Sequence, residues 1–156
     1  MHVPDGPRVL FPPPLIYIAG LAVGLFADRE LDLPSLGLGR GPREIVAAGL
    51  IIAGMVVMTA GAGLFMRRRT AIIPFKPASV LVNSGIYGWT RNPMYLGMAL
   101  AYGGLAVLFN SLAALIVLPI VLAVVQTQVI AREEAYLERA FGGEYVAYKG
   151  QVRRWI

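Results

Sequence analysis

The residues able to do chemistry in this chain lie in two short polar stretches on either side of its longest uncharged run. The first, LVNSGIYGWTRNPMYLG from Leu81 to Gly97, places Tyr87, Trp89, Arg91, Asn92 and Tyr95 after a turn signal at Asn83-Ser84-Gly85. Pro93 suits the first position of a helix, where its missing N–H costs nothing. Free backbone N–H groups at such a start, with Arg91 beside them, can hold an anionic or hydrogen-bond-accepting group of a ligand. The second stretch carries Arg132, Glu133 and Glu134 at the polar end of an apolar segment, with Tyr145 and Tyr148 beyond it. Acids placed there, beside an Arg and several Tyr, mark a functional site by default. Two plainer readings use the same residues. Trp89, the tyrosines and Arg91 could anchor a loop at headgroup level, or Arg91 could pair with Glu133 or Glu134 for structural reasons alone.

Positioning these groups falls to a set of apolar segments. The chain is 57% hydrophobic and 15% charged, with a mean hydropathy of +0.66, and at 156 residues it reads as one domain. Its apolar surface exceeds what a water-soluble core of this size can hide, so the bilayer is the expected solvent. Four spans are expected, at about 12–28, 45–66, 93–109 and 112–130. Pro12-Pro13-Pro14 would make an extended or kinked start to the first, for which a cleaved signal peptide is the rival reading. Asp28 to Glu44 mixes both charges with Pro34, Pro42 and several Gly, as an exposed loop does. Ile45 to Met66 is uncharged and ends at Arg67-Arg68-Arg69, long enough to cross about 30 Å of hydrocarbon. Thr70 to Thr90 reads as a long loop, broken early by Pro74, Lys76 and Pro77.

No residue from Asn92 to Ala131 is charged. A single helix of that length would reach about 60 Å, twice the hydrocarbon thickness, so it must fold back. Asn110-Ser111 is the natural tip of a tight helical hairpin, with a kink expected at Pro119. The hairpin returns to the side it left, so Arg91 to Gly97 and Arg132 to Glu134 must be neighbours. Residues 131–156 form a charged tail, with Gly142-Gly143 stopping one helix. Tyr145, Tyr148, Val152 and Trp155 recur at intervals of three and four as a second, amphipathic one. The basic loop bearing Arg67, Arg68, Arg69, Lys76 and Arg91 places that side, and both termini, in the cytoplasm.

The string SGIY..TRNPMYLG from Ser84 to Gly97, followed by Arg132-Glu133-Glu134 and then FGGEY from Phe141 with Tyr148 and Val152, resembles the integral-membrane methyltransferases. That family includes isoprenylcysteine carboxyl methyltransferases and phospholipid N-methyltransferases, and the likeness covers roughly Thr70 to Ile156. The isoprenylcysteine enzymes usually carry His where this chain has Asn92. The resemblance implies S-adenosylmethionine as cofactor and methyl transfer to a lipophilic acceptor, a carboxylate, amine or thiol, in an integral, multi-pass protein of the inner or plasma membrane. It assigns Tyr87, Arg91, Asn92, Pro93, Tyr95, Gly97, Glu133 and Glu134 to the cofactor side, with Arg91 and Glu134 catalytic. Gly61 and Gly63 match a Gly-x-Gly that phospholipid methyltransferases use for the cofactor, although tight helix packing explains Ala60-Gly61-Ala62-Gly63 equally. Tyr145, Tyr148 and Arg153 fall to the acceptor side or to a lid.

Composition closes several other routes. With no Cys there is no disulfide framework and no thiolate nucleophile. The only His is His2, so a histidine-based metal or triad site is not expected. The net charge of +5 clusters beside apolar spans, which points to anionic lipid headgroups rather than nucleic acid. Two other classes share part of the pattern. NADPH-dependent membrane sterol reductases have a similar Arg-His/Asn-Pro-x-Tyr loop but usually place an acid where this chain has Met98. A non-enzymatic helical bundle would simply pair Arg91 with Glu133 or Glu134.

Overall fold

The structure, a computed structural model, describes residues 6–7, 9–68 and 80–156. His2, Arg69, Pro74, Lys76, Pro77 and the first part of the Thr70–Thr90 loop lie outside the described residues. Every regular element among those described is helical. Five helices follow in order: α1 Pro13–Leu31, α2 Arg40–Arg67, α3 Pro93–Leu108, α4 Leu112–Phe141 and α5 Gly143–Gln151. A short 3-10 turn, Gly85–Gly88, precedes α3. Helix α4 is regular over Leu112–Val125, widens into a π-helical turn at Gln126–Ile130, and resumes over Ala131–Phe141.

Helices α2 and α4 are long and apolar enough to cross a membrane, each with a mean hydropathy of 2.3. Only 17% of the apolar window of α2 and 33% of that of α4 is buried inside the protein, so most of this surface needs an apolar solvent. Leu15, Ile18, Val23 and Phe26 on α1, Ile52, Met55 and Val56 on α2, and Ile116 and Ile120 on α4 are all exposed. A water-soluble fold rarely leaves so much contiguous apolar surface open. Helix α3 is shorter, at 16 residues.

The sequence places these elements well, with two corrections beside one merger: the expected span 112–130 and the first helix expected in the tail are a single helix, because α4 continues without a break to Phe141. The expected exposed loop from Asp28 to Glu44 shrinks to residues 32–39, because α1 runs on to Leu31 and α2 begins at Arg40. An i,i+4 pair, Arg40 Nε to Glu44 Oε1 at 2.8 Å, supports that first turn, where Pro42 is tolerated. Asp28 is therefore a half-buried helical residue that accepts from Ala113 N at 3.0 Å. With Ser111 Oγ, which accepts from Ala114 N at 3.0 Å, it satisfies the start of α4. The second correction concerns the tail. Helix α5 stops at Gln151 and Val152 is extended, at φ −117° and ψ 131°, so the helical spacing of Tyr145, Tyr148, Val152 and Trp155 does not continue.

The fold-back at residues 109–111 stands where Asn110-Ser111 suggests, yet the closest helix packing lies elsewhere. It pairs α2 with α3 and α1 with α4. A Cβ on Gly54 would sit 2.5 Å from the Gly97 carbonyl oxygen, and one on Gly97 2.6 Å from that of Gly54. A Cβ on Gly24 would come as close to the Ala114 backbone, 2.4 Å from its Cα. Lipid tails are as apolar as Leu, so such contacts hold helices together by backbone proximity and van der Waals packing. Gly54→Ala should lower stability by about 1–3 kcal/mol through overpacking. The check is the thermal midpoint of the detergent-solubilised protein, and an unchanged midpoint would show that α2 and α3 separate freely.

Candidate functional site

The fold-back brings the two polar stretches together at one end of the bundle. Tyr95, in the first turn of α3, donates its hydroxyl to Glu133 Oε1 at 2.6 Å. One residue further along α4, Glu134 is buried between two guanidinium groups. Arg154 grips it with a fork, Nε to Oε1 at 2.9 Å and Nη2 to Oε2 at 2.7 Å. Arg91 Nη2 lies 3.2 Å from Oε1. The Arg91 and Glu134 side chains are each 9% exposed, so their charges are shielded from water and depend on each other.

The loop before α3 is held by the tail. Arg91 N donates to the carbonyl of Arg153 at 3.0 Å. Thr90 Oγ1 and Asn92 Nδ2 donate to the carbonyl of Arg154 at 3.2 and 2.9 Å. Asn92 thus spends its amide on the tail. Tyr148 donates its hydroxyl to the Tyr87 carbonyl at 2.7 Å, and Trp155 Nε1 donates to Gln126 Oε1 at 2.9 Å, fastening the chain end to the π turn of α4. Lys149 pairs with Glu138 across the tail.

Several buried donors at this site have no partner among the described residues: Arg91 Nε, Arg91 Nη1 and the Tyr87 hydroxyl. Buried polar groups are almost always satisfied, so such atoms ask for a ligand or water. Gly61 of α2 runs beside them, and a Cβ there would lie 3.2 Å from Met94 Cγ, 3.3 Å from Pro93 Cγ and 3.5 Å from the Tyr87 hydroxyl. Phe65 meets the Tyr87 ring edge to face at 5.4 Å. Tyr145 and Tyr148 pack likewise at 6.1 Å.

Tyr87, Tyr145 and Tyr148 keep their protons in ordinary buffers. Burial pushes the Tyr145 hydroxyl up to about 12, with the Glu134 charge adding to the rise and Arg91 opposing it. Burial also raises Tyr148 and Tyr87, and the neighbouring Tyr148 and Glu133 reinforce the rise at Tyr87. Arg154 is held above the usual guanidinium range, chiefly by its hydrogen bonds to Glu134. The site therefore offers neutral phenol faces, one free-edged guanidinium and two carboxyl groups.

Of the residues expected from sequence, Tyr87, Arg91, Asn92, Pro93, Tyr95, Glu133, Glu134, Tyr145, Tyr148 and Gly61 gather here. Three stand apart. Gly97 packs against Gly54 and Met58 in the α2/α3 contact, a Cβ on Gly63 would meet nothing within 4 Å, and Arg153 reaches the site by its carbonyl while its side chain is exposed. Sequence reasoning missed Arg154. Helical spacing carried through residues 152–155 hides it, whereas an extended tail alternates its side chains and turns Arg154 inward beside an outward Arg153.

Glu134→Gln should leave Arg91 and Arg154 facing a neutral amide. The expected loss is on the order of 3 kcal/mol, reduced from the fully buried case because Arg154 is 34% exposed. A drop in thermal midpoint in detergent is the readout, and an unshifted midpoint would mean that water already screens the cluster.

Comparison with known proteins adds a family to this geometry. The phospholipid methyltransferase family matches residues 42–144. A protein-S-isoprenylcysteine O-methyltransferase of Saccharomyces cerevisiae is 35% identical over 130 residues, 81% of this chain and 54% of the yeast protein. One of the same name from Schizosaccharomyces pombe is 34% identical over 73 residues, 47% of this chain and 31% of its own. An uncharacterised protein of Haemophilus influenzae is 57% identical over 47 residues, 30% of this chain and 73% of that protein. The chain spans about half the length of the yeast relative.

Proposed function

From the chain's membership of the phospholipid methyltransferase family, whose methyl donor is S-adenosylmethionine, we propose that it methylates a lipophilic acceptor at the membrane. The acceptor's reacting group is a carboxylate, an amine or a thiol. The observation that carries this reading is Arg91, whose buried Nε and Nη1 have no partner among the described residues. A non-enzymatic bundle would also pair Arg91 with Glu134, but it has no use for two donors buried without acceptors. Family membership sets aside the NADPH-dependent reductase.

The donor's chemistry is the electrophilic methyl group it carries on a sulfonium. The residues present suit its other groups. Arg91 and the free N–H groups at the start of α3 hold its carboxylate. Glu133 and Glu134 accept from its amino group or ribose hydroxyls. The neutral faces of Tyr87, Tyr95 and Tyr145 attract its positive charge. Gly61 permits close approach from α2. Asn92 and Pro93 fix the loop that presents Arg91, while Gly97 acts through its packing against Gly54 and Met58. Tyr148 and the backbone of Arg153 close the site on the tail side and exclude water, leaving the acceptor to arrive sideways from the bilayer. Methyl transfer needs the acceptor's lone pair in line with the methyl and sulfur at about 3 Å, which calls for no His or Cys. Where the acceptor is an amine, Glu133 can take its proton.

In this reading α1 to α4 form one unit of four spans, with the Arg91 end and both termini on the cytoplasmic side, where soluble cofactors are found. Arg67, Arg68 and Arg91 give that side its positive charge. Calorimetric titration of the detergent-purified chain with S-adenosylhomocysteine, with NADPH in parallel, is the deciding measurement. Saturable micromolar binding of the first alone is expected, and Arg91→Ala should abolish it without lowering the thermal midpoint by more than a few degrees. Binding of NADPH alone, or an undiminished affinity in Arg91→Ala, would sink the assignment.

A further inference from the structure

The fork that Arg154 makes on Glu134 has a consequence for Arg91. A carboxylate has two oxygens, and Arg154 engages both, at 2.9 and 2.7 Å. Against this carboxylate Arg91 is left with a single contact of 3.2 Å, through Nη2; the Tyr145 hydroxyl is a further neighbour of its guanidinium, and Nε and Nη1 find no acceptor among the described residues. We propose that Arg154 is a positioning residue that draws Glu134 away from Arg91 and so keeps Arg91 open to the carboxylate of a bound nucleoside-amino acid. This rests on the assignment of Arg91 to that carboxylate.

The competition follows from geometry. Without the Arg154 fork, Glu134 has one buried cation against it, and a carboxylate beside a guanidinium settles into the two-bond arrangement. That pairing would add Nε to Nη2, using one of the two donors that are now free, and neutralise the charge that attracts an anion. The tail holds Arg154 in place independently of its side chain. Its carbonyl accepts from Thr90 Oγ1 and Asn92 Nδ2, the preceding carbonyl accepts from Arg91 N, and Trp155 is fastened to Gln126. A change of the Arg154 side chain therefore leaves the strap of residues 152–155 docked, and the guanidinium itself can be removed without undoing the tail.

The test uses the full chain in detergent and two ligands that share a nucleoside and a sulfur. S-adenosylhomocysteine carries the amino-acid carboxylate, and 5′-methylthioadenosine does not. Arg154→Met should weaken the first by about tenfold, the worth of a charge-assisted hydrogen bond, and leave the second within about twofold. Arg154→Lys, which keeps the charge but not the fork, should fall between. Equal weakening of both ligands would reduce Arg154 to a structural tie and overturn the proposal. In isotope-labelled arginine spectra of the ligand-free protein, the Arg91 Nε–H signal should move in Arg154→Met as Glu134 turns onto it. An unmoved signal would also overturn the proposal, whatever the second ligand does. If the folded wild type binds neither ligand, the methyl-donor reading itself falls, an outcome distinct from a failure of Arg154 alone.

Discussion

A carboxylate buried between two guanidinium groups ties this molecule together at its polar end. Glu134 comes from α4, Arg91 from the loop before α3, and Arg154 from the last residues of the chain. Neither Glu134 nor Arg91, each 9% exposed, could sit there alone, because an isolated charge out of water costs several kcal/mol. Each therefore fixes the place of the others, and the loop, the helix and the tail become a single object. Hydrogen bonds from Arg91, Thr90 and Asn92 to the carbonyls of Arg153 and Arg154 sew the same three parts together along the backbone.

Away from that end the bundle is built on different physics. Burial of apolar side chains gives little drive where the solvent is itself hydrocarbon, so the close contacts of Gly54 with Gly97 and of Gly24 with Ala114 do the work of assembly. The polar contacts inside the bundle serve helix ends and register. Tyr17 donates to the Tyr95 carbonyl at 2.9 Å, and Tyr102 donates to that of Ala114 at 3.0 Å. Asp28 caps α4 from a neighbouring helix. With its helices fixed, the bundle offers a firm floor to a site whose roof is a loop and a tail.

Much of this was legible in the residues. Uncharged length gave the long apolar helices and the fold-back after α3, since hydrocarbon thickness bounds what one span can be. The fold-back in turn placed Arg91 beside Glu134 and Tyr95 beside Glu133. What escaped was decided by conformation that spacing cannot encode. Val152 turns extended after α5, so Arg154 rather than Arg153 points inward. Gly61 and Gly63 look alike in sequence, yet they stand on different faces of α2 and only Gly61 meets Pro93 and Tyr87. Asp28 reads as a loop acid because its partner, Ala113, is 85 residues away.

The π turn at Gln126–Ile130 has an effect on everything beyond it. Such a turn accommodates one residue more than the regular helix around it, and each residue of an α-helix advances the azimuth by about 100°. The acidic end of α4 is thus rotated by about that angle relative to its lipid-facing stretch, from which Ile116 and Ile120 look outward. Without that extra residue, Glu133 and Glu134 would stand on another meridian of the same helix, away from Tyr95 and Arg91. The orientation of the acidic pair is set by residue count between Val125 and Ala131, an angular offset that no side-chain identity could supply.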